Sequence, residues 1–382
     1  MAPPAPRTPA DARRAESRAP LQLFADRIVR PTTRINRAKL LEDFEAWLIQ
    51  AGYMTLKAIL SWPLDRTEEI SGILVSYGRS LFRAGAAYYR YSETINAVAA
   101  ARPGIRRHLG SAWDLAFAWL SEEPHAHHKA LPKGVLLAVL AAALSWGWLR
   151  EAAVFALAWA GLLRIGEALN AYRRDLILPR DAAPGTDFVL LQISSPKTRG
   201  RAAKHQAAHI DPPDIIRLLD AAFGRLPRGE KLWPFSAGTL RRRFKTLQER
   251  LGLASPDGGA HFDLASFRPG GATWMLTMTE NPDLVRRRGR WLSTRVMEIY
   301  LQEVQAATYL PSLSTERRAV LQQASEAFSS ILAKAIFFID SNIPQAAWYY
   351  LLSDRKSAWS NKKGVAEKEE EFSRRPDLPP ER

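Results

Sequence analysis

The sequence contains no cysteine among its 382 residues. This absence excludes disulfide bonds, thiolate metal sites and a cysteine nucleophile. Histidine is scarce as well, and only His125, His127 and His128 of the seven histidines lie close together, in a proline-flanked segment without helical ligand spacing. We interpret that segment as a linker rather than a metal site. The sequence therefore predicts neither a metal nor another cofactor.

Acidic residues are too few to balance the basic ones: 39 Asp and Glu stand against 54 Lys and Arg, for a formal net charge of +15. This excess predicts an anionic partner, with nucleic acid ahead of an acidic membrane surface. No apolar run reaches the roughly 18–20 uncharged residues that a membrane span needs. The best candidate, 135–148, is too short and predicts a buried helix, so no membrane partner is expected.

The apolar pattern divides the chain into segments. Hydrophobic residues make up 47% of the sequence, enough for the cores of two domains. Helical spacing predominates, whereas alternation at 188–193, followed by a polar turn and the return segment 205–210, predicts a β-hairpin. The predicted fold class is therefore mainly α with a small β-sheet. The predicted segments are a disordered tail at 1–32, an all-helical domain at 33–120, a linker at 121–133, a second domain at 134–312, a C-terminal helix at 313–345 and a mostly disordered tail at 346–382.

One apolar stretch, residues 151–169, ends in charge. Its apolar side chains lie nearly all the way round a helix, which places that helix inside a domain. Arg164 and Glu167 follow three residues apart and can pair across one turn. An arginine near a core is costly unless it is paired or has a function. On its own, the stretch is better explained by a helix end whose guanidinium reaches solvent.

Further chemistry-bearing residues follow in order along the second domain. Lys197 lies on the predicted hairpin, and Arg268 precedes a Gly-Gly-Ala helix whose Pro269 fits the first helical turn. Trp291 follows Gly-Arg, and Tyr300 lies nine residues beyond it on a predicted helix at 294–305. Singly, each residue is explained by packing or by solvent exposure; their order and spacing point to a site.

Together these residue types suit phosphoryl transfer. Two guanidiniums that converge on one phosphate form a clamp and stabilise the negative charge that develops on its oxygens. A tyrosine phenol can attack phosphorus to form a covalent ester. A lysine can protonate the leaving oxygen, and an indole N–H can donate to a phosphate oxygen. None of these steps requires a metal.

The second domain resembles the catalytic domain of tyrosine recombinases, the phage integrase family. GLLRIGE is similar to the first arginine box, especially in Cre-type members, and SFRPGGAT is similar to the second. GRWLSTRVMEIY resembles the third box with its nucleophile; Trp291 stands where most members have histidine and Cre-type members have tryptophan. The helical domain before it resembles the SAM-like core-binding domain of the family by position and helicity only. The resemblance covers about residues 33–305.

The resemblance implies a role for each matched position. Arg164 and Arg268 would clamp the scissile phosphate, and Lys197 would be the general acid for the 5′ oxygen. Trp291 would donate a hydrogen bond to the phosphate. Tyr300 would form the 3′-phosphotyrosyl bond.

Four further positions bear on this scheme. Glu167 would orient the first arginine, and Lys204, on the same hairpin, is the alternative to the first lysine. Family members usually carry histidine three residues before the second arginine, where this chain has Ala265. His261 would have to reach the site from the preceding loop. The departure bears on turnover more than on fold or DNA binding.

The resemblance implies a DNA recombinase or integrase that acts on double-stranded DNA, as a homotetramer on paired sites, in the nucleus or wherever the target DNA lies. The Trp form of the third box suggests a eukaryotic mobile-element lineage. An organelle transit peptide is the alternative to a disordered tail at 1–32. Two other functions stay open: a catalytically impaired recombinase-like DNA-binding protein and a type IB topoisomerase-like enzyme. The helix at 313–345 is expected to dock either on a neighbouring protomer or on its own domain.

Overall fold

The computed structural model of the chain describes residues 8–19, 29, 31–124, 127–194, 206–253 and 262–352. The chain divides into two compact units, Met1–Ala126 and His127–Arg382. Helices dominate both units, and a small antiparallel sheet lies in the second, so the predicted fold class is confirmed. None of the described helices combines the length and the apolarity that crossing a bilayer requires.

The first unit is built from helices. They are α1 (Pro9–Arg18), α2 (Pro31–Gln50), α3 (Leu56–Leu60), α4 (Thr67–Arg83), α5 (Tyr88–Ala101) and α6 (Gly110–Glu122). Helix α1 lies within the segment predicted to be a disordered tail. Its N-terminus is closed by a capping box between Thr8 and Asp11, a signal that the compositional interpretation overlooked. The helix buries no residue.

A glycine separates two helices that the sequence pattern predicts as one segment at 67–91. Gly85 has a φ of +69°, in the left-handed region, and it lies between α4 and α5. The separation lets α5 pack back on α4 and α6. The core of this unit contains large side chains from five of its helices, among them Phe44, Ile59, Leu74, Tyr91 and Trp119.

The second unit combines helices with the sheet. Its helices are α7 (Lys133–Ser145), α8 (Leu149–Ala160), α9 (Ile165–Leu169), α10 (Pro213–Phe223), α11 (Ala237–Arg250), α12 (Phe267–Thr279), α13 (Pro282–Gly289), α14 (Thr294–Glu298), α15 (Glu303–Tyr309), α16 (Thr315–Asp340) and α17 (Trp348–Leu352). Its strands are β1 (Leu176–Ile177), β2 (Val189–Ile193) and β3 (Gln206–Ile210), in the order β1-β2-β3. The hairpin pairs Leu191 with Ala208.

Helix α8 lies at the centre of this unit. Every residue from Glu151 to Ala160 is buried, because α7, α10 and α12 all pack against the helix. Phe155 stacks on Phe267 of α12, with ring centroids 5.1 Å apart and planes within 4°. This contact ties α12 to the central helix.

The long C-terminal helix α16 packs on its own unit along α7 and α10. Its buried stripe includes Leu321, Phe328 and Leu332, and Trp348 of α17 is fully buried beside it. Of the two predicted docking modes, the structure therefore has the intramolecular one. The tail predicted at 346–382 begins with α17 and otherwise lies outside the described residues.

A pair of glycines allows α12 to approach its neighbours closely. A Cβ on Gly270 would meet the backbone of Leu131, and one on Gly271 would meet the carbonyl oxygen of Trp159 at the end of α8. Backbone cannot move aside as a flexible side chain can. The Gly-Gly pair therefore sets the distance between α12 and the centre of the unit.

Replacing Gly271 with alanine is expected to lower the free energy of unfolding by about 2–3 kcal/mol, because the added methyl group overpacks the interface. Gly166→Ala is the matched control, since that glycine is exposed and a Cβ there meets nothing within 4 Å. Urea unfolding of both variants measures the difference. Equal stabilities would show that α12 does not need this close approach.

Candidate active site

Arg164 begins a short helix instead of ending a long one. The sequence pattern predicts a single helix at 151–169, and this is wrong. Helix α8 ends at Ala160, and Leu162 has a φ of +46°. The N–H of Leu163 donates to the carbonyl of Ala158 at 2.9 Å, which closes the helix end as a left-handed C-terminal cap does. Arg164 is then extended, with φ −67° and ψ 138°, at the N-cap of α9.

Glu167 pairs with Arg164, as their spacing predicts. Nη1 of Arg164 donates to Oε1 of Glu167 at 2.9 Å, and the backbone N–H of Arg164 donates to Oε2 at 3.0 Å. The arginine side chain is 30% exposed, while that of Glu167 is 8% exposed. The carboxylate is thus buried, while the guanidinium that it bonds is partly exposed to solvent.

Arg268 lies in the first turn of α12 and is only 3% exposed. Its Nη2 donates to the carbonyl oxygen of Gly289 at 2.6 Å. Its Nε and Nη1 atoms are buried and have no hydrogen-bond partner within the described part of the chain. The guanidinium lies over the rings of Trp291, at 4.7 Å, and Tyr300, at 5.5 Å. Two donors of a buried cation are therefore available to an anion.

Trp291 lies two residues beyond the end of α13 and contacts Tyr300, with ring centroids 5.1 Å apart and an interplanar angle of 46°. The indole Nε1 is buried and, among the residues described, has no hydrogen-bond partner. A Cβ on Gly289 would overlap the indole ring. Trp291 thus supplies a third unpaired donor beside the two of Arg268.

Tyr300 lies between two helices, whereas the sequence pattern places it on one helix at 294–305. Helix α14 ends at Glu298 and α15 begins at Glu303. The hydroxyl of Thr273 donates to the carbonyl of Tyr300 at 3.3 Å and accepts from the N–H of Gln302 at 3.1 Å. This hydroxyl therefore pairs backbone groups on both sides of residue 301, which a continuous helix would otherwise have to pair. The tyrosine is half-buried against α12.

Arg290 is a third arginine at the site, which the sequence interpretation missed. Its Nη2 donates to Oε2 of Glu167 at 2.8 Å. The run Arg286–Arg288 before it is typical of a solvated helix end, and nothing in that composition marks Arg290 as buried. The sequence signal that could have indicated its burial was its position between a glycine and a tryptophan, Gly289 and Trp291, which lie in contact in the structure.

Electrostatics at the site favour an anion. Burial raises the pKa of Glu167, but the charge of Arg290 and the hydrogen bonds from Arg164 lower it by more. The pKa therefore lies below its ordinary value, and Glu167 is a carboxylate at neutral pH. Burial, together with the charges of Arg164 and Arg290, lowers the pKa of Arg268. The carboxylate of Glu167 bonds Arg164 and Arg290 and acts on Arg268 only through its charge. The cationic form of Arg268 is therefore destabilised until a further negative charge binds.

Ala265 lies in the turn before α12, and its side chain offers no proton-transfer group. Asp263 holds this turn by accepting hydrogen bonds from the N–H groups of Ala265, at 2.7 Å, and Ser266, at 3.1 Å. The other oxygen of Asp263 contacts Nδ1 of His128 at 2.6 Å. One histidine of the predicted linker therefore lies against the loop that precedes the second arginine box.

Three candidates from the sequence cannot be placed. Lys197, Lys204 and His261 all lie outside the described residues. Among the residues that the structure describes, no three His, Asp or Glu side chains come together as metal ligands would. The described site thus consists of Arg164, Arg268, Trp291 and Tyr300, with Glu167 and Arg290 behind them. It can bind a tetrahedral anion beside a phenol.

No protein-family model and no curated protein matches the chain. The solved structures to which it is similar include recombinases and an integrase. A structure of residues 75–356 of lambda integrase, a dimer bound to a COC′ core site, is 16% identical, covers 76% of this chain and 94% of its own, and has a TM-score of 0.44. XerA recombinase is 14% identical over 72% of this chain and 99% of its own, with a TM-score of 0.37.

XerH site-specific recombinase bound to its difH substrate is 14% identical over 65% of this chain and 79% of its own, with a TM-score of 0.36. These identities and TM-scores are too low to transfer a function. The function proposed below is supported by the side chains of this chain.

Proposed function

We propose that this chain is a DNA recombinase or integrase that breaks and rejoins double-stranded DNA through a 3′-phosphotyrosyl intermediate at Tyr300. One observation carries the proposal. Nε and Nη1 of Arg268 and Nε1 of Trp291 are buried donors without a partner among the described residues, and both side chains contact the ring of Tyr300. Buried donors of this kind are costly unless a ligand accepts from them.

The proposed reaction is a transesterification. The phenol oxygen of Tyr300 attacks the phosphorus, the bond from phosphorus to the 5′ oxygen breaks, and the 3′ phosphate becomes an ester of the tyrosine. The phenol loses its proton, and the released 5′ oxygen gains one, for which Lys197 is the proposed donor. Attack by a 5′ hydroxyl on the phosphotyrosine reverses the step and restores the DNA strand.

The arginines act on the charge of the phosphate. Arg164 is partly exposed and Arg268 is buried, so that together they would contact the non-bridging oxygens from the open and the closed side of the site. The indole N–H of Trp291 would donate to the same oxygens. Donors placed in advance around a developing negative charge contribute about 10²- to 10³-fold each to the rate.

The net charge of +15 supports a nucleic-acid partner. On the first unit, Arg79 and Arg83 are exposed one turn apart on α4, where they are able to contact backbone phosphates. We further propose that the protein acts as a homotetramer on paired DNA sites in the nucleus or wherever that DNA lies, and that it belongs to a mobile element, as the resemblance of its boxes implies.

Ala265 favours one alternative function. Because the turn before α12 lacks the usual imidazole, the chain could be a recombinase-like protein that binds DNA without cutting it. A type IB topoisomerase-like enzyme is the other alternative, since it uses similar chemistry. It would relax supercoiled DNA without a specific site and without strand exchange.

Covalent trapping tests the proposal. Duplexes that the protein selects from a random-sequence pool are resynthesised with a nick at each position in turn, so that a short 5′-hydroxyl fragment is lost after cleavage and religation is prevented. We expect an adduct that resists denaturation, with the nucleotide on the peptide that contains Tyr300 in mass spectrometry. A gel shift without any adduct would indicate the DNA-binding alternative. Relaxation of plasmid DNA that lacks the selected site would indicate the topoisomerase.

A further inference from the structure

We propose that Arg290 is a positioning residue, which holds Glu167 and, through it, Arg164 in the geometry that binds phosphate. The inference rests on the proposed function. It concerns a residue whose hydrogen bonds reach Glu167 and the turn that precedes Arg164. Its contacts, its backbone conformation and its place in the chain each support it.

The backbone of Arg290 is in an unfavourable conformation. It follows α13 with a φ of +58°, in the left-handed region that L-residues other than asparagine and aspartate rarely adopt. Glycine adopts this conformation freely. An arginine at this position therefore needs contacts of its side chain to offset the strain.

Those contacts are made in the interior. The side chain is 7% exposed. Nη2 donates to Oε2 of Glu167 at 2.8 Å and to the carbonyl of Leu162 at 3.2 Å, and Nη1 donates to the carbonyl of Gly161 at 3.3 Å. The two carbonyls follow the C-terminus of α8, where the helix dipole attracts a cation. Arg290 thus satisfies the turn between α8 and α9 that aims Arg164.

Glu167 transmits the effect. Its Oε2 accepts from Arg290, and its Oε1 accepts from the guanidinium of Arg164. With Oε2 held, the carboxylate cannot rotate, and Oε1 stays directed at Arg164. Without Arg290, only the backbone N–H of Arg164 would hold that oxygen, and the partly exposed guanidinium would exchange its ion pair for water.

The residues on either side of Arg290 contact Arg268, the second arginine of the clamp. The carbonyl of Gly289 accepts from Arg268, and Trp291 lies under the same guanidinium. Three consecutive residues therefore position both arginines of the clamp. This juxtaposition explains why the turn after α13 is packed so tightly.

Arg290→Gly tests the inference, because glycine keeps the left-handed backbone and removes only the side chain. Glu280→Gly is the matched control, since Glu280 ends α12 with a φ of +49° and is exposed. On the selected nicked duplexes we expect Arg290→Gly to form adduct about 10- to 100-fold more slowly at saturating DNA, by analogy with the loss that follows removal of a hydrogen-bond partner behind a metal ligand. Glu280→Gly should bind DNA with the affinity of the wild type and form adduct at the rate of the wild type.

Arg290→Lys should recover part of the rate, because an ammonium reaches Glu167 but cannot also bond both carbonyls. A second measurement does not depend on catalysis. Nuclear magnetic resonance relaxation of the Arg164 Nε–Hε group should show a mobile side chain in Arg290→Gly and a rigid one in Glu280→Gly. A rigid Arg164 in Arg290→Gly, or an adduct rate equal to that of the control, would overturn the positioning role. Absence of adduct in the wild type would instead overturn the proposed function, and the resonance measurement would still decide the inference.

Discussion

Replacing Tyr300 with phenylalanine is expected to abolish the covalent protein–DNA adduct and to leave DNA binding unchanged. The substitution removes only the phenol oxygen, which is the proposed nucleophile. The ring contacts with Trp291 and Arg268 remain, because they involve the face of the aromatic ring rather than the hydroxyl. Fold and phosphate binding should therefore persist while the ester cannot form. Denaturing gels measure the adduct, and gel shifts measure the affinity.

Tyr350→Phe is the control, since that tyrosine lies on the same unit, in α17, and is 36% exposed. It should form adduct at the rate of the wild type. If Tyr300→Phe still formed an adduct, another residue would be the nucleophile. If it lost DNA binding as well, Tyr300 would hold the structure of the site.

Arg268→Met is expected to reduce adduct formation by about 10²- to 10³-fold or more, since the buried donors to the phosphate are removed. The same substitution should leave the free energy of unfolding unchanged or raise it by about 1–2 kcal/mol, because a buried guanidinium that bonds no carboxylate is replaced by an apolar chain of similar length, and this gain offsets the one hydrogen bond lost to the carbonyl of Gly289. Burial and the charges of Arg164 and Arg290 already disfavour the cation in the free protein. Function and stability should thus change independently.

Arg173→Met provides the contrast, because Arg173 is also buried but is bonded to Asp181 and to the carbonyl of Leu176. Its loss leaves these acceptors unpaired, and we expect a destabilisation of about 2 kcal/mol or more. Thermal unfolding at pH 7 compares the two variants. An Arg268→Met protein as unstable as Arg173→Met would show that the charge of Arg268 is well compensated before any ligand binds.

Much of the fold follows from local patterns. Alternation of apolar residues at 188–193 predicts β2, and the apolar stripe of the C-terminal helix predicts α16 to within a few residues, whereas the segment predicted at 67–91 continues past the end of α4 at Arg83. Pro269 lies in the first turn of α12, as its missing N–H predicts. These elements are predictable because each has one buried face, and the apolar residues that form this face recur at a regular spacing along a single segment of sequence.

The breaks between helices were not predictable in the same way. Leu162 carries the left-handed turn that separates α8 from α9, although leucine ordinarily continues a helix. Thr273, 27 residues before Tyr300, bonds the backbone that separates α14 from α15. Both breaks depend on partners far away in sequence, and such partners leave no local signal.

The sequence by itself determined the residue types of the site and their order: two arginines, a tryptophan and a tyrosine, with a glutamate one turn after the first arginine. Their chemistry and spacing were enough to suggest a phosphate clamp. Only the tertiary structure decided that Arg164 begins α9, that Tyr300 lies outside both flanking helices, and that Arg290 shares Glu167. Those features arise because buried charges and carbonyls must find partners in space, and the partners of Arg290 lie more than 120 residues away along the chain.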